Sequence, residues 1–292
     1  MTMVTAELVK ELRERTGAGM MECKRALVAT HGDTDAAAEQ LRMQGLAKAD
    51  KKASRIAAEG TLVIERKGLR AVMVEVNCET DFVAKQDDFV KFARAIAGAA
   101  LSQRVTDVAE LLARPSAAGG TLEDARKALI ARIGENISVR RIAAVEAPTA
   151  LGAYLHGSRI GCLIALKGGT DELGRDIAMH AAAMNPEYVS AAEVPADITA
   201  REREIFAEQV KSEQKPPDIL ARIVEGKLRK RLAEITLLGQ PFVKDDKLTV
   251  EKLLKGAGAE VTRLVRFEVG AGIEKKQGDF VAEVIATVKA AH

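Results

Sequence analysis

Four acidic residues, Glu79, Asp81, Asp87 and Asp88, crowd one short stretch of the chain, with Cys78 directly before them. Carboxylates at this density are the raw material of a divalent-cation site, and a cysteine paired with a histidine is that of nucleophilic catalysis. Neither pattern is complete. The acidic stretch lacks the alternating Asp positions and glycine of a calcium loop, and Asp87 is better used as the N-cap of a following helix. Acidic neighbours raise a thiol pKa and blunt Cys78 as a nucleophile. A Cys78–His156 pair would have no third, orienting group. No C-x-x-C or H-x-x-x-H offers zinc ligands. The G-x-x-x-x-G-K-[ST], G-x-S-x-G and H-E-x-x-H motifs are missing too, and Gly17 and Gly19 fall between helices rather than after a strand. The chain therefore reads as one that does no covalent chemistry and carries no cofactor or metal. An enzyme using the acidic stretch and a metal is the rival reading.

What remains is Thr80-Asp81-Phe82-Val83. From spacing alone Asp81 reads as a turn residue. Phe82 reads as a core side chain, because a loop aromatic more often tucks inward than projects.

The elements around this stretch are legible. Thr5 caps a first helix with Leu8, Val9 and Leu12 on one face, and Thr16 to Gly19 break it. A second helix carries Met20, Cys23 and Leu27 at inward spacing. Asp33 caps a third, with Ala37 and Leu41 inward, ending at Gly45. Lys48 to Arg55 is basic and polar and reads as a solvated linker rather than a nucleic-acid patch. A β-hairpin covers 61–77, with Val72, Val74 and Val76 alternating against Ala71, Met73 and Glu75. A loop follows from Asn77 to Gln86. Phe89, Phe92, Ala93, Ile96, Ala97 and Ala100 then form one stripe of an amphipathic helix.

A second hairpin, around Gly157-Ser158, places Cys162, Ile164 and Leu166 where Val72, Val74 and Val76 stand, and Thr170-Asp171 where Thr80-Asp81 stand, 90 residues apart throughout. A helix with Leu173, Ile177, Ala181 and Met184 follows, so the spacing implies an internal duplication. The copies differ where it matters: Glu172 matches Phe82, and the first copy alone keeps a projecting apolar loop. Between them, Thr121 caps a helix through Ile133, and Ile137 to Val145 is a strand. Later, Thr199 opens a helix to about Gln214, and Asp218 caps another to about Ile235, an antiparallel helical hairpin across Lys215-Pro216-Pro217. A short helix around Leu253, a strand over Val261 to Val269 and a last helix from Asp279 complete the pattern.

Composition narrows the class. The chain has 292 residues, 47% hydrophobic and 29% charged, which suits an α+β protein of two domains or a little more. Aromatics make up 3%, with no Trp, which removes the stacking platforms of a single-strand nucleic-acid binder. A net charge of +2 is far from the excess of a phosphate-tracking protein. A general RNA-binding translation protein is the second rival, and a steep salt dependence of RNA binding would mark it. Three unpaired cysteines fit a reducing compartment. The charged run from Lys10 to Arg15 is no signal peptide, and no apolar run spans a bilayer, so the expected place is the cytoplasm, with no membrane partner.

Six segments resemble a known family. Leu12-Arg13-Glu14-Arg15-Thr16-Gly17-Ala18-Gly19-Met20-Met21 followed by Cys23-Lys24 resembles the opening signature of the bacterial elongation factor Ts family. Val76-Asn77-Cys78-Glu79-Thr80-Asp81-Phe82-Val83-Ala84 is similar to its second. Ile133-Gly134-Glu135-Asn136-Ile137, His156-Gly157-Ser158-Arg159-Ile160-Gly161, Gly239-Gln240-Pro241-Phe242 and Arg266-Phe267-Glu268-Val269-Gly270 follow in the same order. The resemblance implies an N-terminal three-helix, UBA-like module and linker (1–54) and a core of two similar antiparallel αβ subdomains (55–147; 148–195 with 237–270). It also implies an inserted antiparallel helical hairpin (196–236) and a C-terminal helical module (271–292).

It further implies a guanine-nucleotide exchange factor whose partner is the GTPase elongation factor Tu. Thr80, Asp81, Phe82 and Val83 would insert near the GTPase Mg²⁺, with Arg13, Met20, Met21 and His156 as further contacts. For His156, a hairpin-end histidine bonded to backbone is the bland alternative.

Overall fold

The computed structural model describes residues 4–274 except Ala118 and Glu213, and gives no side-chain surroundings for 46–50. The helix expected from Asp279 lies outside the described residues.

Three helices open the chain: α1 (Ala6–Thr16), α2 (Met20–Ala29) and α3 (Thr34–Lys52). Thr5 Oγ1 accepts the Leu8 N–H, and Gly17 ends α1 in the left-handed region at φ +68°. Asp33 Oδ1 accepts the Asp35 and Ala36 N–H groups and caps α3. Val9, Leu12, Cys23, Ala26, Leu27 and Ala37 form a small core of their own. Met20 is not part of it: Cys23, Ala26 and Leu27 fill the inward stripe of α2 and leave Met20 49% exposed.

The third helix also outruns its expected end, continuing to Lys52 in the stretch read as a linker. Gly45 is not its stop signal. A Cβ there would stand 2.9 Å from the Ala131 Cβ, so the glycine serves a close approach of two helices.

Two three-stranded antiparallel sheets form the centre. The first runs β1 (Glu59–Lys67), β2 (Arg70–Cys78), β3 (Ile137–Glu146), and the second β4 (Ala150–His156), β5 (Ile160–Lys167) and the final strand (Glu260–Glu268). In each the second strand is central. Each central strand carries a register shift against its third strand, at Glu75/Val76 and at Ala165/Leu166, 90 residues apart.

The period-two pattern explains the layers. Val72, Val74 and Val76 face a core with Phe89, Phe92 and Ile96. Ala71 and Met73, on the other face, meet Leu151, Leu163 and Ala165 of the second sheet. Cys162, Ile164 and Leu166 face a third core with Ile177, Ala178 and Ala181. Helices thus cover the outer faces: α4 (Asp81–Ala84), α5 (Asp87–Gln103), α6 (Val108–Leu112) and α7 (Leu122–Ile133) on the first sheet, and α8 (Asp171–Met184) on the second. Where α8 crosses β4 the backbones touch, and a Cβ on Gly152 would collide with the Gly174 carbonyl.

One buried polar cluster ties the sheets together. The Glu75 carboxylate is fully buried between Arg140 (3.0 Å) and Arg141 (2.6 Å), and accepts the Gly270 N–H at 2.8 Å. Burial pushes its pKa up, but the Gly270 N–H and the two guanidinium groups outweigh that and hold it below the ordinary carboxylate value. Gly270, at φ +75°, leaves room for the Ala58 carbonyl.

After α8 the chain makes α9 (Ala196–Val210) and α10 (Pro217–Ile235), joined side by side by the Arg203–Glu225 and Arg231–Glu202 ion pairs. Both helices start earlier than Thr199 and Asp218. Pro195 and Pro216 are the N-cap residues, with Pro217 in the first turn, where its missing N–H costs nothing. A small ribbon, β6 (Pro241–Phe242) and β7 (Asp245–Thr249), and α11 (Val250–Gly256) lead to the last strand, β8 (Glu260–Glu268).

Candidate functional site: an exposed aromatic on a braced turn

Within the segment read as a loop, Asn77 to Gln86, the first two residues end β2 and Asp81–Ala84 form a single helical turn, α4. Thr80 caps it, its Oγ1 accepting the Val83 N–H at 3.4 Å. Val83 points into the first core. Phe82 points the other way and is 77% exposed. The inward placement expected from its spacing is therefore wrong: Val83 takes the core side of the one-turn helix, and Phe82 lies on a different face of it. Asp81 pairs with Lys85 at 2.7 Å, and that hydrogen bond holds its carboxyl below the usual range.

The turn is interrupted before α5 begins. Asp87 is not the cap of α5: Gln86 is, without a side-chain bond, and Asp87 stands in the first turn with Asp88, where the helix dipole favours negative charge. In the second sheet's unit, Thr170 caps α8 in the same way, its Oγ1 accepting the Leu173 N–H, but that helix runs unbroken to Met184.

Residues far along the chain brace the turn. The Glu135 carboxylate accepts the Glu79 N–H (3.1 Å), the Thr80 N–H (3.0 Å) and the Thr80 hydroxyl (2.6 Å). Glu79 reaches the other way, accepting the Asn136 N–H at 2.6 Å and standing 3.5 Å from the Arg55 guanidinium. The Asn136 amide donates to the Ala53 and Arg55 carbonyls, and Lys52 donates to the Gly134 carbonyl at 2.5 Å. In the sequence, 133–137 stands out only by its resemblance to the family. The missed signal was a Glu-Asn pair between a helix-ending glycine and a strand, a place where both side chains are free to bond backbone.

The chemical alternatives do not assemble. Cys78 is buried, its thiol pushed up to about 12 by burial and then by the Glu135 and Glu59 charges, and Sγ donates to the Thr80 carbonyl. It does not meet His156, whose Nδ1 lies 3.4 Å from the Tyr154 hydroxyl on the exposed end of the β4–β5 hairpin. Of the acidic four, Glu79 and Asp81 are engaged as above and Asp88 pairs with Arg132. No cluster of three or more His, Cys, Asp or Glu placed to hold a metal occurs among the described residues. No helix among them is long and apolar enough to cross a membrane.

The remaining expected contacts lie apart from the turn in sequence. Arg13 is exposed on α1, and Met21, 64% exposed, stands beside Met20 on α2. Gln240, in the segment Gly239–Phe242 that carries part of the resemblance, is buried: its Oε1 lies 3.0 Å from the His180 Nε2, and its amide donates to the Glu234 carbonyl. That motif is a structural plug between α8 and α10.

Fold and site together define an α+β protein that carries its candidate site on a hydrogen-bond-braced surface turn. A family model described as Elongation factor TS matches residues 79–271, more than half of the chain. Elongation factor Ts of Francisella tularensis subsp. novicida is 54% identical over 289 residues, 99% of this chain and 100% of the relative. Elongation factor Ts of Methylococcus capsulatus is 54% identical over 290 residues, 98% of this chain and 99% of the relative. The chain belongs to the elongation factor Ts family.

Proposed function

We propose that the chain is a guanine-nucleotide exchange factor of translation elongation that acts on elongation factor Tu in the cytoplasm, with no cofactor, nucleic acid or membrane of its own. The observation that carries this reading is Phe82, a large apolar ring 77% exposed on a turn held by four residues around it. Ordering an exposed aromatic on a rigid support is favourable when a partner covers it. Thr80, Asp81, Phe82 and Val83 form the insertion element. The ring wedges into the GTPase beside its Mg²⁺ and phosphate site, and Asp81 brings negative charge near the metal. Mg²⁺ is among the largest local charges holding GDP, so disturbing it loosens the nucleotide. By linkage, the factor weakens GDP by the ratio in which GDP weakens the factor.

Arg13, Met20 and Met21 serve as contacts from the first module, and His156 from the β4–β5 hairpin. We read the chain as units 1–54, 55–147, 148–195 with 237–270, 196–236 and 271–292, the two core units arising by duplication. The matched register shifts and Thr caps support this.

The test is release of labelled GDP from purified elongation factor Tu. The full chain should accelerate release. Phe82→Ala should lose roughly thirtyfold of that effect, as for a buried interface aromatic worth on the order of 2 kcal/mol, with an unchanged melting temperature. Equal release with and without the chain would end the proposal.

A further inference from the structure

We propose that Glu135 is a positioning residue for the turn at 80–84, holding Phe82 in the pose its partner meets. The inference rests on the reading of that turn as the insertion element. A four-residue helix cannot hold its own shape, because nucleation costs more than one turn of hydrogen bonds returns. The shape of α4 therefore depends on what its first residue bonds to.

Thr80 has one hydroxyl proton, and Glu135 Oε1 takes it at 2.6 Å. That bond turns the oxygen lone pairs of Thr80 toward the Val83 N–H, which they accept. Glu135 Oε2 meanwhile fixes the Glu79 and Thr80 amides. One carboxylate thus sets both the entry of the backbone into the turn and the rotamer of its cap. In the second unit, α8 is 14 residues long and keeps its Thr170 cap as part of a full helix. Glu135 also lies between Gly134 and Asn136, which bond Lys52, Ala53 and Arg55, so the brace is fastened to the end of α3.

Glu135→Ala leaves Thr80 free to rotate and two N–H groups without their acceptor. The full-length variant should keep the wild-type fold by circular dichroism. Its maximal rate of stimulated GDP release should fall about tenfold, within the range of coupled neighbours, and the concentration giving half-maximal release should move much less. The Val83 amide should exchange faster while Val74, in the centre of β2, stays protected. Because Glu135 acts through Phe82, the Glu135→Ala/Phe82→Ala double variant should lose no more than Phe82→Ala alone. Glu135→Gln keeps a carbonyl for the backbone amides but not the acceptor for the Thr80 proton, and should fall between. It also serves should the alanine variant fail to fold.

A wild-type release rate in whichever variant folds would overturn the positioning role, as would a double variant whose losses multiply. Unimpaired release by Phe82→Ala would instead overturn the function proposed for the turn.

Discussion

Glu75 is fully buried, yet its carboxylate ties the protein's stability to pH. Its carboxylate bonds two arginines and the Gly270 amide, and its folded pKa lies below the ordinary 4.5. A depressed carboxyl pKa means the unfolded chain binds the proton more readily. The stability it contributes is full above about pH 4.5 and is lost as pH falls through the lower, folded value. Glu75→Gln should therefore destabilise the protein at pH 7 by about 3 kcal/mol, since it leaves the arginines facing a neutral group. Urea unfolding from pH 7 down to pH 3 should show the two curves converging below about pH 4.5. A gap that stays constant into acid would mean the ion cluster is not what distinguishes them.

Elements in this protein approach one another most closely where side chains are absent. The crossing of β4 over α8 needs glycine at 152 because the strand rests on the Gly174 backbone. The cost of a methyl group there falls on backbone, which moves less readily than a side chain. Gly152→Ala should lower stability by about 2 kcal/mol. Gly157→Ala, in the nearby hairpin with nothing close to its Cβ position, should show only the modest strain of its positive φ of +58°. Equal melting temperatures for wild type and Gly152→Ala would show that the helix simply shifts away. Gly45 teaches the same lesson in α3: a glycine that looks like a helix stop can be a helix contact.

At the scale of the molecule, the three opening helices have a core separate from those of the sheets. Among the described residues, none before Val63 belongs to the three sheet cores. They are fastened nonetheless, by α3 against α7 and by the bonds of Lys52, Ala53 and Arg55 to the Gly134–Asn136 connection. Removing residues 1–54 should leave a cooperatively folding protein with a lower melting temperature and much weaker stimulated GDP release, because Arg13, Met20 and Met21 go with it. Retention of full exchange activity, or loss of the cooperative transition, would each contradict this division.

Hydrophobic spacing by itself determined the hairpin read over 61–77, which the structure extends to 59–78, the stripe of α5, the second hairpin and the 90-residue correspondence between them. These depend on period-two and period-3.6 burial, which neighbouring residues report. Short-range chemistry determined Thr5, Asp33 and Thr121 as caps, since a cap bonds amides two or three residues away, while Asp87 and Asp218, read in the same way, stand inside their helices. The tertiary structure alone decided which side of the chain Phe82 takes, that α3 runs on past Gly45, and that Glu75 is buried as an ion. It alone brought Glu135 to Thr80 across 55 residues. Each of these is a long-range contact: the partner that stabilises it is remote in sequence, and no local pattern of residue types carries its position.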